Sequence, residues 1–253
     1  MLILKHPLSI FVYKCRIKVL SPFKQHYFYF WPIFMLFNEV KHLVRKEIML
    51  ELRMKYALNG ILLYVISTVF VCYLSFRSVI QPTTWNSLFW IIMLFASVSA
   101  VSKSFMQESR GRQLYMHMLA SPQAIILSKI IYNVILMISL SLICFLFYSL
   151  FIGNLVQDIP MFILCLLLGS AGFSSVLTLM SAIASRTNGN LTLMAILSFP
   201  VQVPLLMTLI RVSKNAIDGL DPSVSYKFLI ILFLINVVVA TLSYILFPYL
   251  CRD

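Results

Sequence analysis

Residues 159–185 read IPMFILCLLLGSAGFSSVLTLMSAIAS, an unbroken stretch without Asp, Glu, Lys, Arg or His. As a helix it would rise about 40 Å, more than the roughly 30 Å hydrocarbon core of a bilayer. Five further runs share this property, at 59–76, 85–102, 130–152, 191–210 and 228–250. Each reaches or approaches the ~20 residues a helix needs to cross. In lipid every backbone amide must find its partner within the protein, which selects helices over irregular chain. The expected fold is therefore all-α and integral to the membrane, with six transmembrane helices.

Composition agrees. Hydrophobic residues make up 61% of the 253 positions and charged residues only 11%, too few to cover a soluble domain with polar surface. Seven Gly and ten Pro exclude a low-complexity chain. Ion and proton pumps hold titratable groups at bilayer depth, and these runs hold no acid, amine or imidazole. Cys15, Cys72, Cys144, Cys165 and Cys251 form no CxxC pair, and three lie inside apolar runs. They read as small packing groups, with neither a disulfide framework nor a metal site.

The net charge of +12 sits almost wholly between the runs. With the N-terminus in the cytoplasm, the inside segments hold the ten Lys/Arg before residue 59, then Lys103, Arg110, Arg112, Lys129, Arg186 and Arg252. The outside segments hold Arg77, Arg211, Lys214 and Lys227. Sixteen against four fits the positive-inside rule and puts both termini in the cytoplasm. The basic balance thus suits topology and anionic lipid headgroups, and no nucleic-acid partner is expected.

Ahead of the first run the chain divides in two. Residues 1–34 are basic and aromatic, and Pro22 and Pro32 interrupt their apolar stretch. They lack the continuous core and cleavage site of a secretory signal. They read as an N-terminal extension upstream of a natural start at Met35, with an interfacial anchor as the alternative. Residues 35–58 form the second part. Val40, Val44, Ile48, Leu52 and Tyr56 recur every fourth position, with Lys41, His42, Arg45, Lys46 and Arg53 mostly opposite. This predicts an amphipathic helix lying in the interface. Glu51 and Lys55 would form an i,i+4 pair, and Asn59–Gly60 would break the helix before the six-helix domain at 59–253.

The connection 103–129 holds Glu108, Arg110, Arg112, His117 and the turn signal Ser121–Pro122. A helix over 105–119 would carry Leu114 and Met118 on one face and charge on the other, and Pro122 would end it. That mixture suits a docking surface for another protein. The outward segment 211–227 contains Asp218 and Asp221, too few oxygen ligands for a calcium loop. In the fourth run Gly169, Gly172, Ser174, Thr178, Ser181, Ala182 and Ser185 allow close helix packing or the lining of a path. Asn133 and Asn236 are read as interhelical hydrogen-bonding groups. Pro200 and Pro204 flank Gln202 in the fifth run and should kink or break its helix, either as a static feature or as a mobile transporter element.

Catalytic signatures are missing. No GxxxxGK[ST] phosphate loop, HExxH or GxSxG occurs, and His6, His26, His42 and His117 all precede the third run. The chain reads as a non-enzyme with no metal site and no catalytic residue.

The order of these parts resembles the membrane subunit of ABC-2-type exporters. Within them it is similar to the B subunit of the bacterial cytochrome c maturation haem exporter complex. The resemblance rests on 43–76 (with RKEIMLELRMKYALNGILLYVISTVFVCYLSF from Arg45), on 108–129 with Gly111, Leu114, Pro122 and Lys129, and on 200–206. It covers the chain from about Met35 onward. It implies a multi-pass permease of the bacterial inner membrane, paired with a second copy of itself and two copies of a separate ABC ATPase. It also implies a haem-handling membrane protein and a haem chaperone as partners. ATP would act through the ATPase, haem would be cargo, and no cofactor would be bound directly. The ATPase-coupling segment would be 105–122, with Glu108, Arg110, Gly111, Arg112, Leu114 and Pro122. Pro200, Gln202 and Pro204 would mark a helix break or pathway. Relatives carry paired acids near Glu108, where this chain has one acid among basic residues. Two other readings stand beside this one: an ABC-2 permease for a lipid, glycan or drug, and a non-transporting mechanical relay.

Overall fold

The computed structural model describes residues 30–53, 56–76, 80–102, 120–186 and 191–250. Among them are seven α-helices and no strand: α1 (Phe30–Arg53), α2 (Tyr56–Ser75), α3 (Pro82–Val101), α4 (Pro122–Ile152), α5 (Ile159–Arg186), α6 (Leu191–Ile217) and α7 (Pro222–Leu250). The chain divides into units Met1–Asn38 and Glu39–Asp253. Of the first unit, only the opening turns of α1 are described; the rest of α1 and all the other helices belong to the second. Helices α3 to α7 are each long and apolar enough to cross a membrane, and α2 contributes a shorter apolar stretch, Asn59–Ser75. The chain is a multi-pass helical membrane protein.

The helices start where prolines allow. Pro82 and Pro122 stand in the first turns of α3 and α4, where a missing N–H costs nothing, and Pro222 opens α7. As a result α4 begins eight residues, and α7 six, before the charge-free runs at 130 and 228. Helix α6 runs on past 210 through Arg211 and Lys214. The outward segment expected over 211–227 shrinks to a turn at 218–221, where Gly219 takes the left-handed φ of 66° beside Gln157. Asp158 caps α5, its Oδ1 accepting the Met161 N–H at 3.2 Å.

Two expected helix breaks do not occur. Asn59 and Gly60 lie within α2, which is helical from Tyr56, because nothing crowds Gly60 and no left-handed residue ends the turn. Helix α6 passes through both Pro200 and Pro204 as one α-helix. Proline removes one donor per turn, but neighbouring helices hold the chain in register, as lipid-embedded helices tolerate.

Helix α5 is the axis of the bundle. Of its most apolar window 72% is buried, against 28% in α6 and α7. Lipid offers no hydrophobic gain for burying Leu against Leu, so close contact and hydrogen bonds must hold the helices together. The small residues provide the contact. A Cβ on Gly169 would meet Leu209 and the Trp90 ring at 3.0 Å, and one on Gly172 would collide with Leu205. Hydroxyls provide hydrogen bonds. Ser170 donates to Ser141 at 3.0 Å and Asn133 to Thr178 at 2.8 Å, tying α4 to α5. Asn236 Nδ2 reaches the Leu168 carbonyl at 3.2 Å, tying α7 to α5. Both asparagines thus play the interhelical part expected of them.

Around the start of α3, aromatic rings fill the core. Trp85 meets Tyr148 edge-on at 4.9 Å between centroids, Phe145 lies 5.0 Å from Phe162, and Phe89 contacts Trp90, Tyr148 and Phe162. Polar ends of these rings are satisfied: Trp85 Nε1 donates to the Gly153 carbonyl and the Tyr148 hydroxyl to the Trp85 carbonyl. Deeper in α3, Ser213 accepts from Trp90 Nε1 at 2.8 Å and lies 2.8 Å from Asn86 Oδ1, joining α3 to α6.

Candidate functional site

Helix α1 carries its acids at Glu39, Glu47 and Glu51, spaced by multiples of four, so they share one broad face. That face lies on the first three turns of α4. Glu39 Oε2 accepts the Ser121 hydroxyl at 2.8 Å and its backbone N–H at 3.3 Å. Glu47 Oε1 stands 3.7 Å from the Lys129 ammonium and 3.2 Å from Lys46. Glu51 stands beside the Tyr132 hydroxyl. Between these polar contacts Leu43 packs on a small cluster of Ile125, Ile126, Ile130, Ala182 and Phe247.

The sequence at the start of α4 explains why the acids are wanted there. Ser121 is the N-cap residue, yet its side chain makes no cap bond to its own helix. Its hydroxyl donates outward to Glu39, which brings a negative charge to the positive end of the α4 dipole. Lys129 lies seven residues into the helix and is only 1% exposed. A buried ammonium is costly unless paired, and Glu47 supplies the opposite charge. Lys129, expected in a solvated loop, is therefore a buried helical residue.

Most basic residues of α1 point elsewhere: Lys41, Arg45 and Arg53 are exposed, as is His42, while half-buried Lys46 stays beside Glu47. The polar side of the helix, expected to be a single basic face, is two surfaces. One is acidic and covered by α4, the other basic and open. Val40 is buried as predicted, whereas Met49 is 58% exposed.

The second predicted locus lies in α6. Pro200 and Pro204 are exposed, while Gln202 between them is buried and its Nε2 has no hydrogen-bond partner among the described residues. One turn on, Leu205 fills the space beside Gly172, where Asn236 Oδ1 is also buried without a partner among the described residues. Gly172, Leu205 and Asn236 therefore meet at one level of the α5–α6–α7 junction. The polar side chains at this locus, Gln202 and Asn236, are amides, able to hydrogen-bond but not to exchange protons near neutral pH.

Of the other predicted site residues, Pro122 opens α4, directly after the Ser121 anchor. Glu108, Arg110, Gly111, Arg112 and Leu114 lie outside the described residues, as do the expected 105–119 helix and Lys55. No group of His, Cys, Asp and Glu suited to a metal occurs among the described residues. The contacts of Glu39 and Glu47, and the Asn86–Trp90–Ser213 group, were not anticipated. A signal for the first existed in acids recurring at multiples of four within a basic helix.

No individual curated protein matches this chain. The family described as CcmB protein matches it over residues 38–246, from the acidic face of α1 almost to the end of α7. With most of its length inside that match, the chain belongs to the CcmB family, the permease-type membrane component of the ABC haem exporter in cytochrome c maturation.

Proposed function

We propose that this chain is a non-catalytic permease subunit driven by a separate ABC ATPase that docks on residues 105–122. Its working form has six spans, α2 to α7, with α1 from residue 35 lying in the cytoplasmic interface and both termini in the cytoplasm of the bacterial inner membrane. Residues 1–34 form an N-terminal extension that is not counted in that working domain. Two copies pair with two ATPase subunits, beside a haem-handling membrane protein and a haem chaperone. Haem is cargo or a ligand of those partners, and this chain binds no cofactor directly.

One observation carries the reading. The apolar stretches of α2 to α7 contain no Asp, Glu, Lys, Arg or His deeper than their ends, so the spans offer no group to harness an ion gradient. Free energy must then enter as motion from outside the membrane. Residues 103–119, between α3 and α4, form the longest hydrophilic connection and the natural place for it to arrive. Arg110 and Arg112 are the candidate charged contacts, with Glu108 beside them and Gly111, Leu114 and Pro122 shaping the segment.

Reversing both charges, Arg110→Glu with Arg112→Glu, is expected to abolish co-purification of the ATPase from detergent-solubilised membranes. Undiminished co-purification would remove 105–122 from the docking role. Reconstituted vesicles separate transport from relay. ATP-dependent haem flux supports the permease reading, and chaperone release without flux leaves a mechanical relay.

A further inference from the structure

We propose that Glu39, Glu47 and Glu51 clasp the start of α4 so that α1 and α4 move as one lever, with Glu47 and Lys129 as its positioning residues. The proposal rests on the reading that residues 105–122 receive the ATPase.

Three contacts, at residues 121, 129 and 132, fix one helix to another over about three turns. Glu39 holds the Ser121 hydroxyl and N–H, Glu47 faces Lys129, and Glu51 stands beside the Tyr132 hydroxyl. Contacts at one level would allow pivoting, but contacts spread from 121 to 132 resist both sliding and rotation. All three acids of α1 within the second unit are used this way, while Lys41, Arg45 and Arg53 stay exposed. A helix merely resting on lipid headgroups has no need to sort its charges so.

The place of the clasp gives it a role. Ser121 and Pro122 close the docking segment and open α4. A push arriving there meets α4 at the residue Glu39 grips. Lys129 is 1% exposed, so its ammonium has little water to fall back on and the pair cannot open cheaply. Displacement of α4 is therefore shared with α1, and through Leu43 with the cluster that includes Ala182 of α5 and Phe247 of α7. Such a pair is weak evidence for stability but well suited to holding one register between two elements.

The test uses the complex with its ATPase in lipid nanodiscs. Nitroxide labels at exposed Arg45 in α1 and exposed Ile131 in α4 report the distance between the two helices, and a label at exposed Ile245 in α7 gives a reference. With Glu47 and Lys129 in place, ATP should leave the α1–α4 distance unchanged while both move against α7. In Glu47→Gln/Lys129→Met, which removes both charges and avoids a lone buried one, the ATPase should still co-purify. The α1–α4 distance should then vary with nucleotide, and ATP-driven chaperone release should fall about tenfold, within the range of ordinary coupling energies. Exchanging the charges, Glu47→Lys with Lys129→Glu, should recover most of that loss. An α1–α4 distance that changes with ATP in the unaltered protein would overturn the clasp, as would full release in the charge-free variant. Failure of the unaltered permease to bind the ATPase would instead overturn the docking reading, and the lever with it.

Discussion

At Gly172 one methyl group separates a fitting helix from a clashing one. A Cβ there would run into Leu205, with Asn236 Oδ1 at 3.3 Å, whereas a Cβ on Gly60 would meet nothing. Gly172→Val should therefore cost about 1–3 kcal/mol, as overpacking of well-filled interiors does. Gly60→Ala should be neutral or stabilise by roughly 0.5–1 kcal/mol, since it removes backbone freedom from a helix interior. Thermal unfolding of the purified permease in detergent checks both. Equal effects at the two glycines would show that the α5–α6 contact does not carry the packing. Asn133 and Asn236 were legible in the sequence because an amide in lipid has few options beyond another helix. The Glu47–Lys129 pair was not. Its members stand far apart in sequence on different helices, and hydropathy periodicity describes one element at a time.

The apolar runs located the five helices long enough to span and the shorter apolar α2, and erred at their ends, because a charge-free criterion stops at the first Lys or Arg. Lys129, Arg211 and Lys214 are nonetheless helical, one of them buried and the others near the polar end of α6. Prolines at the helix starts were the better marker, since Pro82, Pro122 and Pro222 open α3, α4 and α7. Inside α6 the same residue does not break the helix, because tertiary contacts override the local penalty. Restoring two donors by Pro200→Ala with Pro204→Ala should leave the helical circular dichroism and the amount of folded protein unchanged. If these prolines give α6 its freedom to bend, the double variant should lower ATP-driven chaperone release about tenfold while ATPase binding persists. Unchanged release would make the prolines passive, and loss of folded protein would show that α6 needs them for its path.

At the scale of the molecule, two surfaces of opposite chemistry organise the chain. The bundle is held by small residues and neutral hydrogen bonds around α5, and its charges gather where α1 meets α4. In the proposed mechanism the spans respond to force without titrating, and residues 105–122 receive that force from the ATPase. The fold class was readable because a bilayer admits so few structures. The α1–α4 junction was only half readable, because the acids recurring along α1 stand in the sequence while their partners on α4 depend on helices brought together by folding. The most direct test of a permease driven from outside the membrane is native mass spectrometry of the complex released from its own membrane. Two permease chains with two ATPase subunits are expected, and no ATPase when Arg110 and Arg112 are both replaced by Glu. A permease isolated without any ATPase, or an assembly indifferent to that charge reversal, would contradict this mechanism.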